Sequence, residues 1–226
     1  MSPSQQVIPV RIGFTTAYIV RDEGTIMVDT GFPGSEEIIL SFLEKHGLSP
    51  DEVRLIIVTH GHADHAGSAA ALKEVTGALV AAGHLEVGRL RTGRSGKLAP
   101  TGLAGHIFRL YCERKFNRYP PVEPDILIDS NYDLIVHGVH GRIVPTPGHT
   151  AGSVSVLLES GDAIVGDLFF ASFPFGSPAV PYFADDFYEW NGSIRSVLER
   201  STGRIYIAHG GPFDVETIKQ HLPYWR

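Results

Sequence analysis

Short apolar runs separated by turn residues recur through the first third of the chain. VIPVRIG, TAYIV and TIMVDT are β-branched or apolar segments of this kind, and they predict β-strands. LIIVTH, residues 55–60, and ALVAA are continuous apolar runs, which are typical of strands covered on both faces. Between these strands a helix is predicted after Ser35, which can cap it, and another over GSAAALKEVTG, which ends at Gly77. The first helix has four apolar residues at helical spacing: Ile38, Ile39, Phe42 and Leu43.

The later part of the chain repeats this pattern. ILIDS, LIVHG, RIVPT, SVSVLLES, AIVGD and RIYIAHG are predicted strands, and DVETIKQHL is a predicted helix. DDFYEWNGSIRSVLERS is also a predicted helix, which Asp185 or Asp186 can cap. Because groups of strands alternate with helices twice, the predicted fold is α/β, a four-layer αββα sandwich of two packed sheets with helices outside. We expect one domain over residues 1–226.

Composition narrows the class of protein. The 226 residues are 43% hydrophobic and 19% charged, with a net charge of −6, which does not favour a nucleic-acid partner. Cys112 is the only cysteine, so no internal disulfide forms, and this fits a reducing compartment. The sequence has neither a signal-peptide pattern at its start nor an apolar run of membrane-spanning length. A cytoplasmic protein is therefore expected, and a homodimer stays open.

Residues 88–118 differ in charge from the rest of the chain. This segment has eight Lys or Arg and one acid, Glu113, whereas the remainder has 11 basic and 24 acidic residues. Its apolar residues at helical spacing are Leu103, Ile107, Leu110 and Tyr111. We interpret the segment as a basic helical insert, a hairpin or cap, although a solvated surface helix packed on the body fits equally well.

The stretch THGHADHAG, residues 59–67, carries the candidate chemistry. A strand that ends at Thr59 places His60 and His62 on the same side of an extended segment, so both imidazoles can face one point. Asp64 and His65 follow where the chain turns into a helix, and they can face a neighbouring point. Imidazole and carboxylate groups are good ligands for zinc and similar ions. Gly61 and Gly67 are expected to let the backbone turn tightly.

Three further polar residues follow later strands. His149 comes after RIVPT, Asp167 ends AIVGD, and His209 ends RIYIAHG. Since a metal ion takes about four ligands and folds of this class gather their sites at the carboxyl ends of strands, these residues can complete the set.

This order of motifs resembles the metallo-β-lactamase superfamily. The resemblance rests on His60-x-His62-x-Asp64-His65, then His149, Asp167 and His209, and on VDTG with Asp29, and it spans nearly the whole chain. It implies two metal sites, the first held by His60, His62 and His149 and the second by Asp64, His65 and His209. It also implies that Asp167 bridges the two metals and that Asp29 orients a ligand by hydrogen bonding. For Asp29, a turn residue at a strand end is an equal alternative.

The implied activity is metal-dependent hydrolysis. Two divalent ions would lower the pKa of a bridging water, whose hydroxide attacks the substrate while Asp64 transfers a proton to the leaving group. Zinc is expected first, with iron and manganese as alternatives for the same ligands. The substrate expected is a small molecule, either a thioester, a lactone or a related ester, as in enzymes of the glyoxalase II or lactonase type.

Several alternatives stay open. A β-lactamase, a nuclease and a mononuclear-iron persulfide dioxygenase share these motifs, and a non-catalytic metal-binding or partner-binding domain is the alternative from another class. His62, where the diiron flavoproteins of this fold have a carboxylate, argues against that branch. Metal analysis would separate these possibilities.

Two segments are predicted to shape the pocket. The aromatic residues of segment 169–186 alternate with Pro and Gly, so the segment is expected to line the cleft rather than form a helix. They are Phe169, Phe170, Phe173, Phe175, Tyr182 and Phe183. Tyr182 could bind a substrate oxygen, although packing under a loop is an equal alternative. If the basic insert faces the cleft, an anionic substrate is favoured; otherwise it is a dimer contact or a surface for an acidic partner or a membrane.

Overall fold

Two six-stranded sheets lie face to face in the computed structural model of the protein, which describes residues 5–172 and 176–222. Phe173 and Phe175 of the aromatic segment lie outside the described residues. The strands of the first sheet follow chain order: β1 (Gln6–Ile12), β2 (Thr15–Arg21), β3 (Thr25–Val28), β4 (Val53–Val58), β5 (Leu79–Gly83) and β6 (Ile126–Ile128). β1, β2 and β3 are antiparallel neighbours, whereas β3 through β6 run parallel.

The second sheet has the order β14-β13-β10-β9-β8-β7. Its strands are β7 (Tyr132–Asp133), β8 (Gly141–Pro145), β9 (Val154–Leu158), β10 (Ala163–Ile164), β13 (Arg204–Tyr206) and β14 (Phe213–Asp214). Only β10 and β13 pair in parallel; the other neighbours are antiparallel. Between them in the chain, β11 (Phe170–Ala171) and β12 (Pro178–Ala179) form a separate antiparallel pair.

The helices cover the outer faces of the sheets and connect the strands. They are α1 (Glu36–Lys45), α2 (Ala63–Ala66), α3 (Ala69–Thr76), α4 (Val87–Thr92), α5 (Leu103–Lys115), α6 (Phe187–Arg200) and α7 (Val215–His221). Within the described ranges, short 3-10 helices lie at Pro50–Glu52, His84–Glu86, Leu134–His137 and Gly166–Leu168. None of the helices in the described part of the chain combines the length and the apolarity needed to cross a membrane.

Side chains on alternate positions of β4 explain why its residues 55–58 are all apolar, whereas Arg54 near its start is exposed. Leu55 and Ile57 belong to the core between the two sheets, together with residues of the second sheet such as Val156. Ile56 and Val58 point the other way, into the core beneath the helices of the first sheet. Where both faces of the strand are covered, a polar residue is disfavoured, because a buried polar side chain without a partner is destabilising.

Three cores therefore separate four layers. Leu43 of α1 and Leu72 of α3 pack on the outer face of the first sheet, and Trp190 and Ile194 of α6 pack on the outer face of the second. The predicted four-layer αββα sandwich is confirmed.

Two details of the local predictions are wrong. Ser35 makes no side-chain cap for α1; instead its N–H donates to Ser68 Oγ, 2.9 Å away. LIVHG is a 3-10 helix rather than a strand, because the Asp133 carboxylate accepts from the N–H of Ile135 and starts a turn. By contrast, Asp186 caps α6 as predicted, since its carboxylate accepts from the N–H groups of Tyr188 and Glu189.

Candidate metal-binding site

Three histidine rings converge at the carboxyl ends of strands from both sheets. His60 and His62 follow β4, and His149 lies between β8 and β9. His60 Nε2 lies 3.0 Å from His62 Nδ1, and His149 Nε2 lies 3.1 Å from each of these atoms. We call these residues the three-histidine cluster. Nitrogen ligands of one tetrahedral zinc ion lie about 3.3 Å apart, so the spacing suits a single ion.

Burial favours the neutral form of these three rings. His60, His62 and His149 are 1%, 8% and 3% exposed. Burial, with neighbouring imidazoles, holds the pKa of His60 and of His62 well below the usual value, and burial lowers the pKa of His149. A neutral imidazole keeps a lone pair free, which is the form that binds a metal.

A second group of ligand atoms lies beside the first. Asp64 and His65 are on α2, and His209 follows β13. Asp64 Oδ2 lies 3.3 Å from His209 Nε2 and 3.6 Å from His65 Nε2. We call Asp64, His65 and His209 the carboxylate cluster. Each of the two clusters has its three ligand atoms within 4.8 Å of one another.

Asp167 lies between the two clusters and turns one oxygen toward each. It is in the 3-10 helix after β10. Its Oδ1 is 3.3 Å from both His65 Nε2 and His209 Nε2. Its Oδ2 is 3.5 Å from His149 Nε2 and 4.0 Å from His60 Nε2. One carboxylate is thus in position to contact an ion in each cluster.

The two clusters differ in the charge that their side chains carry. Although burial opposes it, the pKa of Asp64 is lowered to about 2 by the histidines beside it. Burial likewise opposes ionisation of His209, but Asp167 and Asp64 raise the pKa of His209 to about 10. The pKa of His65 is raised in the same way against burial, by Asp167, Asp29 and Asp64. In the metal-free protein these shifts favour neutral rings in the three-histidine cluster and ionised groups in the carboxylate cluster. A metal ion that binds at the carboxylate cluster would therefore displace the protons from His65 and His209 Nε2.

Two orphaned atoms fit a divalent ion. His65 Nε2 and Asp167 Oδ1 are fully buried, and neither makes a hydrogen bond of good geometry with the described residues. Such atoms are destabilising unless they have a partner. Nitrogen and carboxylate oxygen are the donors that zinc, iron and manganese accept, so the donor set suits these ions.

Asp29 contacts His65 and the strand end that precedes the first motif. Asp29 Oδ2 accepts a hydrogen bond from His65 Nδ1 at 2.8 Å, which leaves Nε2 of that ring facing the site. The Asp29 carboxylate also accepts from the backbone N–H and the hydroxyl of Thr59. Asp29 is buried and has a φ of 61°, which is a left-handed conformation that aspartate tolerates better than most residues.

Two backbone carbonyls orient two of the other rings. His149 Nδ1 donates to the carbonyl of Phe183 at 2.7 Å, and His209 Nδ1 donates to that of Phe14 at 2.9 Å. These hydrogen bonds leave Nε2 of each ring for the site. Partners of this kind set the tautomer and angle of metal-binding histidines.

Glu86 links the site loops and was missed by the sequence analysis. It is 0% exposed. Its carboxylate accepts from the N–H of Gly61 at 2.7 Å and from that of Gly152 at 3.1 Å. It also pairs with Arg89, whose guanidinium donates to Asp185 at 3.2 Å. Three loops around the site are therefore connected through one buried carboxylate.

The expected role of Gly61 changes accordingly. A Cβ on Gly61 or on Gly152 would lie 2.8 Å from a carboxylate oxygen of Glu86, so both glycines allow Glu86 to approach closely. Neither has a positive φ, and the same holds for Gly67. Tyr119 holds the other side of the first loop, since its hydroxyl donates to the Gly61 carbonyl at 2.9 Å. A lone glutamate beside a basic stretch gives no sequence signal for this role.

A cleft of about 560 Å³ opens above the two clusters. Tyr182 and Phe183 both line it, together with the sequence-predicted residues His62, Asp64, His149, Asp167 and His209. The insert also lines it, but through α5 residues such as Phe108 and Tyr111 rather than through its basic side chains. The condition set for an anionic substrate, a basic insert wall, is therefore not met by the described lining, because α5 contributes aromatic side chains to the cleft and no Lys or Arg.

Known proteins resemble this chain over most of its length. The sequence model of the metallo-beta-lactamase superfamily matches residues 10–209. A probable metallo-hydrolase of Methanocaldococcus jannaschii is 29% identical over 200 residues, which are 87% of this chain and 87% of that protein. A hydroxyacylglutathione hydrolase of Anaeromyxobacter dehalogenans is 32% identical over 139 residues, 61% of this chain and 40% of that protein.

Solved structures agree on the fold. The structure of the BLEG-1 B3 metallo-beta-lactamase superposes with a TM-score of 0.72 at 19% identity, covering 98% of this chain and 99% of that one. At this identity the likeness concerns the fold alone.

Proposed function

The chain belongs to the metallo-beta-lactamase superfamily, and on that premise we propose that it is a hydrolase of an ester, thioester or lactone that uses two divalent metal ions. The observation that carries the proposal is the position of Asp167, whose two oxygens face two separate clusters of ligand atoms. Two adjacent sites that share a carboxylate are typical of dinuclear hydrolytic centres. Most members of the superfamily are hydrolases.

The proposed ligands follow the two clusters. His60, His62 and His149 would hold one ion, and Asp64, His65 and His209 would hold the other, with Asp167 between them. When bound, the two ions would supply Lewis-acid activation of a water molecule and of the scissile carbonyl. Zinc is proposed first, and iron and manganese are the alternatives that the same donors allow. Ligands from both sheets support one domain across residues 1–226.

Asp64 is the proposed proton carrier. Its carboxylate borders the cleft and is ionised near neutral pH, since its pKa is lowered to about 2. Its Oδ2 faces His65 and His209, so we assign proton transfer to Oδ1. Water adds its oxygen to the acyl carbon, Asp64 takes the proton of the water, and that proton passes to the leaving oxygen or sulfur as its bond to carbon breaks.

Metal analysis of protein purified without chelators tests the proposal. We expect about two zinc or manganese ions per chain and hydrolysis of simple carboxylic esters. One iron per chain, with oxygen consumption on glutathione persulfide, would instead identify a dioxygenase. Absence of both metal and hydrolysis would favour a non-catalytic module.

A further inference from the structure

We propose that the cleft selects an uncharged ester with an apolar acyl chain rather than an anionic substrate. This inference rests on the proposed function and assigns its substrate class. The cleft has the volume of a site for one small organic molecule, about 560 Å³. Aromatic rings form two of its walls, on either side of the exposed edge of the carboxylate cluster.

The first wall joins the N-terminal sheet to the insert. Phe14 and Phe32 have ring centroids 5.0 Å apart, and both rings contact Phe116, at 5.9 and 4.9 Å. Tyr111 of α5 extends the wall, with its centroid 5.7 Å from that of Phe116. All four side chains line the cleft. They form a continuous apolar surface, and the Nζ atom of Lys115 lies over the rings of Tyr111 and Phe116, 5.5 and 5.6 Å from their centroids.

The second wall runs from α5 to the metal ligands. The ring of Phe108 lies 5.8 Å from that of Tyr182, which lies 5.6 Å from that of Phe170. The Phe170 ring in turn lies 4.5 Å from the ring of His209. An acyl chain held against this wall would thus lead directly to the carboxylate cluster.

Charge around the cleft disfavours an anion away from the metals. Among the described residues, the cleft is lined by no lysine or arginine, and Glu113 is the charged side chain that the insert contributes. Arg89 is engaged with Glu86 and Asp185. Arg91 is paired with Glu123 at 2.6 Å. Two other cations of the insert also have partners, since Arg109 lies 3.8 Å from Glu113 and Lys115 lies over the rings of Tyr111 and Phe116. The carboxylates of a peptide-like leaving group would therefore meet mainly aromatic rings there, which desolvate charge without compensating it.

The exposed aromatic side chains at the mouth of the cleft also favour an apolar acyl chain as the ligand. Phe14, Phe108 and Tyr111 are 59%, 48% and 53% exposed, although each belongs to a wall of the cleft. A contiguous apolar surface at the mouth of a polar site is typical of a ligand-binding groove. An acyl chain would remove this surface from water and so contribute binding free energy.

Binding to metal-free protein tests the cleft without relying on turnover. The probe is N-phenyl-1-naphthylamine, which is neutral, apolar and fluorescent when buried. We expect Phe108→Ala and Tyr111→Ala each to weaken probe binding about tenfold. Ile107→Ala and Leu110→Ala are matched controls, because they lie on the same helix, are 67% and 57% exposed, and do not line the cleft. Equal losses in all four variants, or no binding by the wild type, would overturn the proposal.

A substrate series tests selection in the metal-loaded protein. We expect kcat/KM for p-nitrophenyl octanoate to exceed that for the acetate at least about tenfold, and S-lactoylglutathione to be poorer than the octanoate. Tyr111→Ala should reduce the octanoate-to-acetate ratio about fivefold, whereas Ile107→Ala should leave it unchanged. A flat ester series, or a preference for the anionic thioester, contradicts the substrate class. Failure to hydrolyse any ester contradicts the proposed function instead. Probe binding then tests separately whether the cleft binds an apolar ligand.

Discussion

The base of the cleft and helix α5, which lines its upper part, differ in how firmly their side chains are held. At the base, seven candidate ligands come from strand ends of both sheets, and His65, His149 and His209 each have a hydrogen bond that fixes the ring. Along α5, Gly105 is the buried residue, and large apolar side chains stand exposed. Hydrogen bonds and burial fix the side chains at the base, whereas few buried contacts fix those of the helix. Chemistry and substrate choice can therefore change independently.

Removing the carboxylate shared by the two clusters should have the largest effect. We expect Asp167→Ala to lower kcat/KM about 1,000-fold or more and to reduce the bound metal, because neither cluster keeps an oxygen from that side chain. Hydrolysis of an ester and metal content are measured together. Asp129→Ala, an exposed carboxylate that does not line the cleft, is the control. Unchanged turnover and metal content would show that Asp167 does not bridge.

The link through Glu86 should have the next largest effect, on stability. We expect Glu86→Gln to lower the free energy of unfolding by roughly 2–4 kcal/mol, because it removes a buried charge that two backbone N–H groups and Arg89 share. Urea denaturation followed by circular dichroism measures this loss. The matched change Glu123→Gln breaks an exposed pair with Arg91 and should have no measurable effect. Similar losses in the two variants would count against the link.

Metal removal tests the same base by a different route. Any ligand that binds only the folded state stabilises it, by about 2.7 kcal/mol at a free concentration 100 times its dissociation constant. We expect a chelator to lower the Tm and zinc to restore it in a concentration-dependent manner. Tyr111→Ala should show the same shift as the wild type, because α5 holds none of the proposed ligands. A Tm that ignores the chelator would argue against bound metal.

The smallest effect is expected at the basic surface of the insert. Arg91 lies outside the cleft and pairs with Glu123. Arg91→Ala should therefore change the KM of anionic and neutral esters alike, by less than about twofold. A selective increase in KM for the anionic ester would show that basic side chains of the insert do contact the substrate.

The ligand candidates of the first motif could be predicted together because they lie within six residues of one another in the sequence. The spacing of His60, His62, Asp64 and His65 after an apolar run limits where these side chains can point. Glu86 could not be found in this way, because its partners are backbone N–H groups of loops far along the chain. Which side chains of α5 face the cleft could not be predicted for a similar reason: counting charges and helical spacing does not say which side of a helix meets the body. Phe108, outside the predicted apolar set, is one that lines the cleft.

The span of the ligand set has a consequence for biosynthesis. His60 belongs to the first sheet, whereas His209 follows the next-to-last strand of the second. A growing chain that has passed only the first motif holds at most the two histidines and the acid–histidine pair of that turn. If the proposed ligands are correct, the chain is inactive during most of its own synthesis, because the ligand set is incomplete until His209 has been made. If the proposed function holds, hydrolysis would begin only after both sheets have emerged from the ribosome and packed together.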